Sequence, residues 1–398
     1  MKIEQLSIKN FKALRHVTMR DIPNFCVIVG ANGGGKSTLF HVFGFLREAL
    51  NSNVNTALIK EGGSRGFSEV RSRGCDGKIE IEIKFRAKQS KRNNPLITYF
   101  LSIGQDGNKA VVEKEVLKYR VGAKGRPWEF LNFSRGAGRA VINEIENVTS
   151  EDKLIREYQK LKSADILAVK GLAQFEKFPA VVALGNLIDR WHLSDIHISK
   201  ARDEQQAGFA EHLSREGENL SLVIDYLHQN HKPVLDKIID TMKKRISGIS
   251  NVNAKIIETG QVLLQVHDDS FADPFLVRYV SDGTIKMLAY LVLLNDPGPH
   301  PLLCIEEPEN QLYPQLLVEL AEEFRAYAER GSQVFVSTHS PDLLNAVALD
   351  EVFWLIKKNG YTTIQRAKDD EQITAYMGQG DKMGWLWQQG LFRGVDPQ

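Results

Sequence analysis

The segment Gly30-Ala31-Asn32-Gly33-Gly34-Gly35-Lys36-Ser37 constrains this chain more than any other. It satisfies the spacing G-x-x-x-x-G-K-[S/T] of a loop that cradles phosphates. Such a loop needs a strand before it and a helix after it, because the helix aims its first N–H groups at the anion. Both flanks are present. Phe25 to Val29 is an unbroken apolar run, the mark of a strand buried on both faces. After Thr38, residues Leu39, Phe40, Val42, Phe43, Phe45, Leu46 and Leu50 recur at helical spacing, with Arg47 and Glu48 off the apolar face. Gly30, Asn32, Gly33, Gly34 and Gly35 supply backbone flexible enough to wrap a phosphate. Lys36 is the candidate for the β and γ phosphates, Ser37 for a Mg²⁺ ion and Thr38 for an α-phosphate. A strand, loop and helix in this order commit the chain to an α/β fold.

Composition narrows the remaining choices. The 398 residues are 42% hydrophobic and 25% charged, which excludes collagen-like, disordered and filamentous chains. Net charge is +1, so any nucleic-acid surface must be a local patch. The apolar runs Met287–Leu294 and Leu302–Ile305 fall well short of the ~20 residues a membrane span requires. Met1 to Leu6 alternates like a strand and does not read as a signal peptide. Cys26, Cys75 and Cys304 lack metal-type spacing and read as reduced thiols, so a cytoplasmic protein without a membrane partner is expected.

The pattern divides the chain into three segments. In residues 1–120, alternation from Ile3 to Ile8 leads into the phosphate-loop strand. Ile79, Ile81, Ile83 and Phe85 then alternate with charged residues, and runs near Leu96–Ile103 and Ala110–Tyr119 complete an antiparallel meander with a turn at 104–107. Residues 122–139, rich in Gly and basic residues, read as an exposed loop. Residues 121–274 are expected to be an inserted, mainly helical lobe, with Leu220, Val223, Ile224, Leu227, Leu235, Ile238, Ile239 and Met242 at helical spacing. In residues 275–398, strands at 301–305, 333–337 and 352–356 and a helix at 316–328 resemble stacked units of a parallel sheet.

Three further motifs carry chemistry. Leu302-Leu303-Cys304-Ile305-Glu306-Glu307 is a buried strand delivering two acids at its end, Glu306 as the metal-side acid and Glu307 as the base that polarises water. Gln333 to Ser340 is another apolar strand ending in His339, which can hydrogen-bond a γ-phosphate or the attacking water. Val280-Ser281-Asp282-Gly283-Thr284 opens the apolar helix that follows, either as a plain N-cap or as a second anion-binding end formed by Ser281 and Gly283.

These motifs, in this order, resemble the ABC-type ATPase heads of the SMC, RecF and OLD group. The likeness is strongest to stand-alone bacterial ATPases that open with I-x-N-F-K, here Ile8-Lys9-Asn10-Phe11-Lys12, and carry S-D-G-T followed by I-E-E-P-E. It covers residues 1–120 and about 275–360. The resemblance implies an α/β head with a mixed sheet, an antiparallel meander and an inserted helical lobe. It makes Ser281–Thr284 the signature segment, Glu309-Asn310-Gln311-Leu312 the D-loop and His339 the switch histidine. It also implies ATP and Mg²⁺ as cofactors and a homodimer or larger assembly in which the signature of one copy completes the nucleotide site of another. Glu306 stands where Asp is usual, and Asp282 where transporters carry glycine.

What the resemblance leads to downstream is an ATPase whose nucleotide-dependent dimerisation controls a separately encoded nuclease or toxin, in phage defence or DNA maintenance. OLD-type relatives append a nuclease after the switch histidine, whereas 59 residues follow His339 here without an acidic cluster on a sheet, so none is expected. Two alternatives stay open. One is a nucleotide-dependent scaffold with negligible turnover; the other is a repair ATPase that binds DNA or RNA directly. The second rests on residues 60–139, which carry 18 Lys and Arg against 9 Asp and Glu, with Lys84, Arg86, Lys88, Lys91 and Arg92 around one hairpin. Trp128 and Phe130 beside it could stack on bases or cap a local core. The aromatic tail, Trp385 to Phe392, could likewise dock on the chain's own core or on a partner.

Overall fold

The computed structural model describes residues 2–86, 95–121, 125–143 and 150–393. β1 (Lys2–Phe11) and β2 (Leu14–Arg20) form an antiparallel hairpin, and β3 (Phe25–Gly30) leaves it to enter a separate sheet. The hairpin is extended by β4 (Ile79–Arg86), β5 (Leu96–Asp106), β6 (Lys109–Tyr119), β7 (Trp128–Ser134), β8 (Ala137–Val141) and β9 (Arg156–Lys160). Together they make an eight-stranded antiparallel sheet of order β2-β1-β4-β5-β6-β7-β8-β9. In β4 every second residue, Ile79 to Phe85, is buried, which is the period-2 pattern of the sequence turned into a core face.

The remaining strands are β10 (Trp191–Ser194), β11 (Gln205–Gln206), β12 (Ile249–Ile256), β13 (Gln261–Asp268), β14 (Phe275–Leu276), β15 (Leu302–Glu306), β16 (Gln333–Thr338), β17 (Val352–Lys358) and β18 (Tyr361–Arg366). The central sheet has the order β10-β15-β16-β3-β17-β18, parallel from β10 to β17 with β18 as an antiparallel edge. All six residues of β3 are buried because its two faces serve two cores. Cys26 and Ile28 pack with α1 (Lys36–Asn51) and the antiparallel sheet. Phe25, Val27 and Val29 pack with the helices Leu220–Asn230, Lys232–Arg245, Asp282–Leu294 and Pro314–Glu329. Cys26 and Cys304 are buried free thiols, and burial pushes both up from the usual thiol range.

The middle segment needs correction. Its two expected helices exist at 220–230 and 232–245, but residues 128–141 and 156–160 continue the antiparallel sheet, 249–268 form a hairpin and β10 joins the central sheet. The glycines and basic residues of 122–139 hide this: Phe130, Leu131 and Phe133 are buried, and Arg135 and Gly136 make the hairpin turn with φ of 48° and 78°. The meander turn is also tighter than expected, since β5 runs on to Asp106 and Gly107-Asn108 closes the hairpin. The tail docks on its own chain: Leu386 and Phe392 are buried, and Phe392 packs edge-on to Trp354 at 5.1 Å.

One buried acid ties the antiparallel sheet to the helix Ala168–Leu172. Glu115 accepts the N–H groups of Ala168 at 2.5 Å and Val169 at 3.1 Å, and Tyr99 donates its hydroxyl at 3.1 Å. Burial outweighs these bonds and pushes its carboxyl up from 4.5 to about 7. The folded state therefore holds a proton that the unfolded chain has lost across that window. Its contribution to stability is full below pH 4.5 and is lost as pH rises through about 7. We expect the wild type to lose roughly 2 to 3 kcal/mol more than Glu115→Gln between pH 5 and pH 8 in denaturant titrations. Parallel pH profiles for the two proteins would show that Glu115 is ionised in the fold.

Candidate active site

β3 ends at Gly30 and α1 begins at Lys36, so the glycine loop spans the parallel-strand end of the central sheet. Gly33 and Gly35 take φ of 74° and 102°, a region that favours glycine. A side chain at Gly35 would also meet Thr362 Oγ1 at 2.6 Å, and that hydroxyl donates to the Gly34 carbonyl at 2.9 Å. No side chain caps the N-terminus of α1. Its first turn instead opens on a cleft of about 320 Å³ lined by Lys12, Ala13, residues 31–38, Glu307 and Lys357. Uncapped N–H groups beside a lysine make an anion site, and the cleft suits a phosphate chain. A larger cleft of about 560 Å³, lined by Arg20, Asp21 and Arg366 among others, holds none of the motif residues.

Lys36 is buried and donates to the Gly30 carbonyl at 2.8 Å, with Glu307 Oε1 3.7 Å away. Burial lowers its pKa from the usual lysine range, while the carboxylates of Glu307, Glu309 and Glu306 oppose that shift. Glu307 follows β15, and β16 lies between β15 and β3, pairing Glu306 with Ser337 and Val29 with Thr338. Three strand tips thus bring the glycine loop, the acids and His339 together. The Glu307 backbone sits at φ 42°, a left-handed conformation that costs a non-glycine residue about 1 kcal/mol. Its N–H donates to the Ser337 carbonyl at 3.0 Å, while its carboxylate accepts from Asn310 Nδ2 at 3.3 Å and lies 3.5 Å from His339 Nδ1.

Glu309 clamps the histidine from the other side. Its Oε1 accepts from Thr338 Oγ1 and from the His339 N–H, both at 2.8 Å, and lies 3.3 Å from His339 Nδ1. Lys36, Glu307 and His339 therefore form one chain of contacts. Glu306 does not join it: its Oε1 lies 3.6 Å from Arg215, and it is absent from the cleft lining, where Ser37 stands. Ser281 and Gly283 are also outside the cleft. Ser281 is exposed and caps the helix Asp282–Leu294, accepting from the Thr284 N–H at 3.3 Å. Asp282 is paired with Arg202 at 2.7 Å, which neutralises the charge it adds there. Gln311 donates to Asp282 at 3.5 Å, linking the segment 309–312 to this helix.

Sequence reasoning gave no role to Lys12, Lys357 or Thr362, and placed Glu309 only in the D-loop. Lys12 lines the cleft and bonds Glu61 at 2.6 Å, and Glu61 also holds His41. Only the N-F-K motif pointed toward it. Lys357 and Thr362 arrive from β17 and β18, whose placement beside β3 no local pattern announces. In the basic segment, Lys84 lies 3.6 Å from Glu82 and Arg86 bonds Glu4 at 2.6 Å, so both have acidic partners. Lys88, Lys91 and Arg92 lie outside the described residues. Phe130 stacks on Tyr119 at 3.9 Å and Trp128 packs against the core, which fits the capping reading of these aromatics.

A family profile described as "AAA domain, putative AbiEii toxin, Type IV TA system" matches residues 25–345. The chain belongs to this AAA_21 family. The match spans the glycine loop, the double acid and His339, the residues the structure gathers. No curated protein matches the sequence significantly. Among solved structures, an SMC head bound to the C-winged helix domain of ScpA is similar over 92% of this chain and 98% of its own, at 14% identity and a TM-score of 0.57. An Smc head with an extended coiled coil, bound to the C-terminal domain of ScpA from Pyrococcus furiosus, is similar over 94% of this chain and 99% of its own, at 14% identity and a TM-score of 0.50. This AAA_21 chain thus has the fold of an SMC head. Among its described residues no helix is long and apolar enough to cross a membrane.

Proposed function

We propose that two copies of this chain bind and hydrolyse ATP between them, and that the nucleotide state of the pair controls a partner effector. One observation carries this reading. Ser281 is exposed at a helix N-terminus outside the cleft that holds Lys36, Glu307 and His339. In this reading a γ-phosphate touching both Lys36 and Ser281 lies between two copies. Lys36 leaves the Gly30 carbonyl for the β and γ phosphates, releasing Glu307 from its 3.7 Å contact. Glu307 then accepts a proton from the attacking water, and His339, held by Glu309, donates to the γ-phosphate. Gly30, Asn32, Gly33, Gly34, Gly35 and Thr38 shape the cradle. Ser37 and Glu306 offer the oxygen donors a hard cation takes, with Glu306 released from Arg215. Bound Mg²⁺ would neutralise charge on the β and γ phosphates.

The family description names a putative toxin of a type IV toxin–antitoxin system, which favours defence or DNA maintenance as the setting; a separately encoded nuclease or toxin as the effector is our own reading. The structural neighbours, both described with ScpA bound, favour a protein partner on the head. Paired Lys84 and Arg86 favour this reading over direct nucleic-acid binding. Buried free Cys26 and Cys304 fit a reducing cytoplasm. Light scattering tests the dimer: with a non-hydrolysable ATP analogue the mass doubles. Wild type that keeps its monomer mass at saturating nucleotide would remove the basis of the proposal.

A further inference from the structure

Away from the nucleotide cleft, three side chains converge on a point that none of the motifs explains. His212 lies on the loop after β11. Asp296 and His300 lie on the loop between the helix Asp282–Leu294 and β15. One ligand atom from each falls within 4.8 Å of the others. His212 Nδ1 is 2.7 Å, and His300 Nε2 3.7 Å, from the same Asp296 Oδ2. The other carboxylate oxygen, Oδ1, accepts from the Gly298 N–H at 2.8 Å.

The tautomer of His300 decides what this arrangement means. Its Nδ1 lies 3.2 Å from the Arg190 carbonyl, and a carbonyl oxygen only accepts, so Nδ1 carries the ring proton. In the neutral ring Nε2 then keeps its lone pair. That atom is buried and has no hydrogen-bond partner. A lone-pair nitrogen and a carboxylate oxygen therefore face each other inside the protein with no hydrogen between them. The contact is repulsive unless a second ring proton or a metal cation joins the two. His192, also buried, stacks on the His300 ring at 4.7 Å and holds its plane.

We propose that His212, Asp296 and His300 bind a divalent first-row transition ion, with Zn²⁺ the best match, as a structural brace on the loop leading into β15. Two imidazoles and one carboxylate suit Zn²⁺. The carbonyl bond to His300 Nδ1 is the outer contact that orients such ligands. Tetrahedral coordination at 2.0–2.1 Å places ligand atoms about 3.3 Å apart, and the present spacings of 2.7 and 3.7 Å lie on either side of that value. His212 is half-exposed, which leaves the fourth position open to water. The ion would tie the loop carrying His212 to the segment that connects the Ser281 helix with the strand delivering Glu306 and Glu307.

Untagged, chelator-stripped, nucleotide-free protein tests this by Zn²⁺ calorimetry and by the visible absorption of bound Co²⁺. We expect one equivalent per chain with micromolar or tighter affinity, and a thermal midpoint raised by Zn²⁺. His212→Ala and Asp296→Asn should each weaken binding at least tenfold and abolish the thermal shift. Because His212 sits half-exposed on a loop, its variant keeps the fold. The Glu307→Gln, His339→Ala double variant should bind as the wild type does. The proposal fails if the wild type takes up no ion in the micromolar range, or if His212→Ala binds equally well. It also fails if the double variant loses the ion, which would place the metal in the nucleotide cleft.

Discussion

Replacing Glu307 with Gln should lower steady-state phosphate release at least a hundredfold while leaving ATP bound. Gln is nearly isosteric and can stay in the left-handed backbone position at φ 42°, so the 3.0 Å bond to Ser337 survives. What disappears is the proton acceptor. General-base catalysis contributes roughly 10²–10⁴-fold, and no neighbouring acid is placed to replace it. Glu306 lies against Arg215, and Glu309 is occupied by Thr338 and His339. ATP would then persist between two copies, and the dimer would accumulate where the wild type cycles. A malachite-green assay beside light scattering measures both. A variant that releases phosphate at more than a tenth of the wild-type rate would mean that Glu307 is not the base.

Nucleotide affinity depends most on Lys36. Lys36→Ala should weaken binding of a fluorescent ATP analogue by about 10- to 100-fold, since hydrogen bonds to charged groups contribute roughly 1.5–3 kcal/mol. The fold should survive, because Ala favours a helix and the buried face of α1 from Leu39 to Leu50 is untouched. Loss of the lysine also leaves Glu307 without its 3.7 Å partner and adds negative field to the cleft, which works against a polyphosphate. A thermal melt run alongside separates lost binding from lost structure. Unchanged affinity in a folded variant would mean that the phosphates lie elsewhere.

Much of this site could be read from the sequence because its motifs sit at the tips of strands and each strand declares itself locally. The apolar runs of β3, β15 and β16 each end in the residues that matter: Gly30, Glu306 with Glu307, and Thr338 with His339. Strand order was not legible. Nothing local says that β16 separates β15 from β3, or that β17 and β18 bring Lys357 and Thr362 to the loop. The left-handed backbone of Glu307 was equally silent, since glutamate carries no signal for that conformation. In the middle segment, composition concealed pattern. Gly136 and Gly138 and the basic residues around them suggested a loop, whereas buried Phe130, Leu131, Phe133 and Ala140 mark a hairpin. The resemblance assigned Ser281 to the phosphates held by a second copy, and whether it meets them there is a question about two chains.

That question has a direct test. Lys36→Ala spoils the cradle and Ser281→Arg spoils the cap, so each protein alone should be nearly inactive. Mixed in equal amounts, half of the dimers pair one of each. Every such dimer holds one site with an intact cradle facing an intact cap, so phosphate release should recover to roughly a quarter of the wild-type rate if the sites act independently. If Ser281→Arg alone turns over like the wild type, or if the mixture stays as inactive as its parts, the shared site is contradicted.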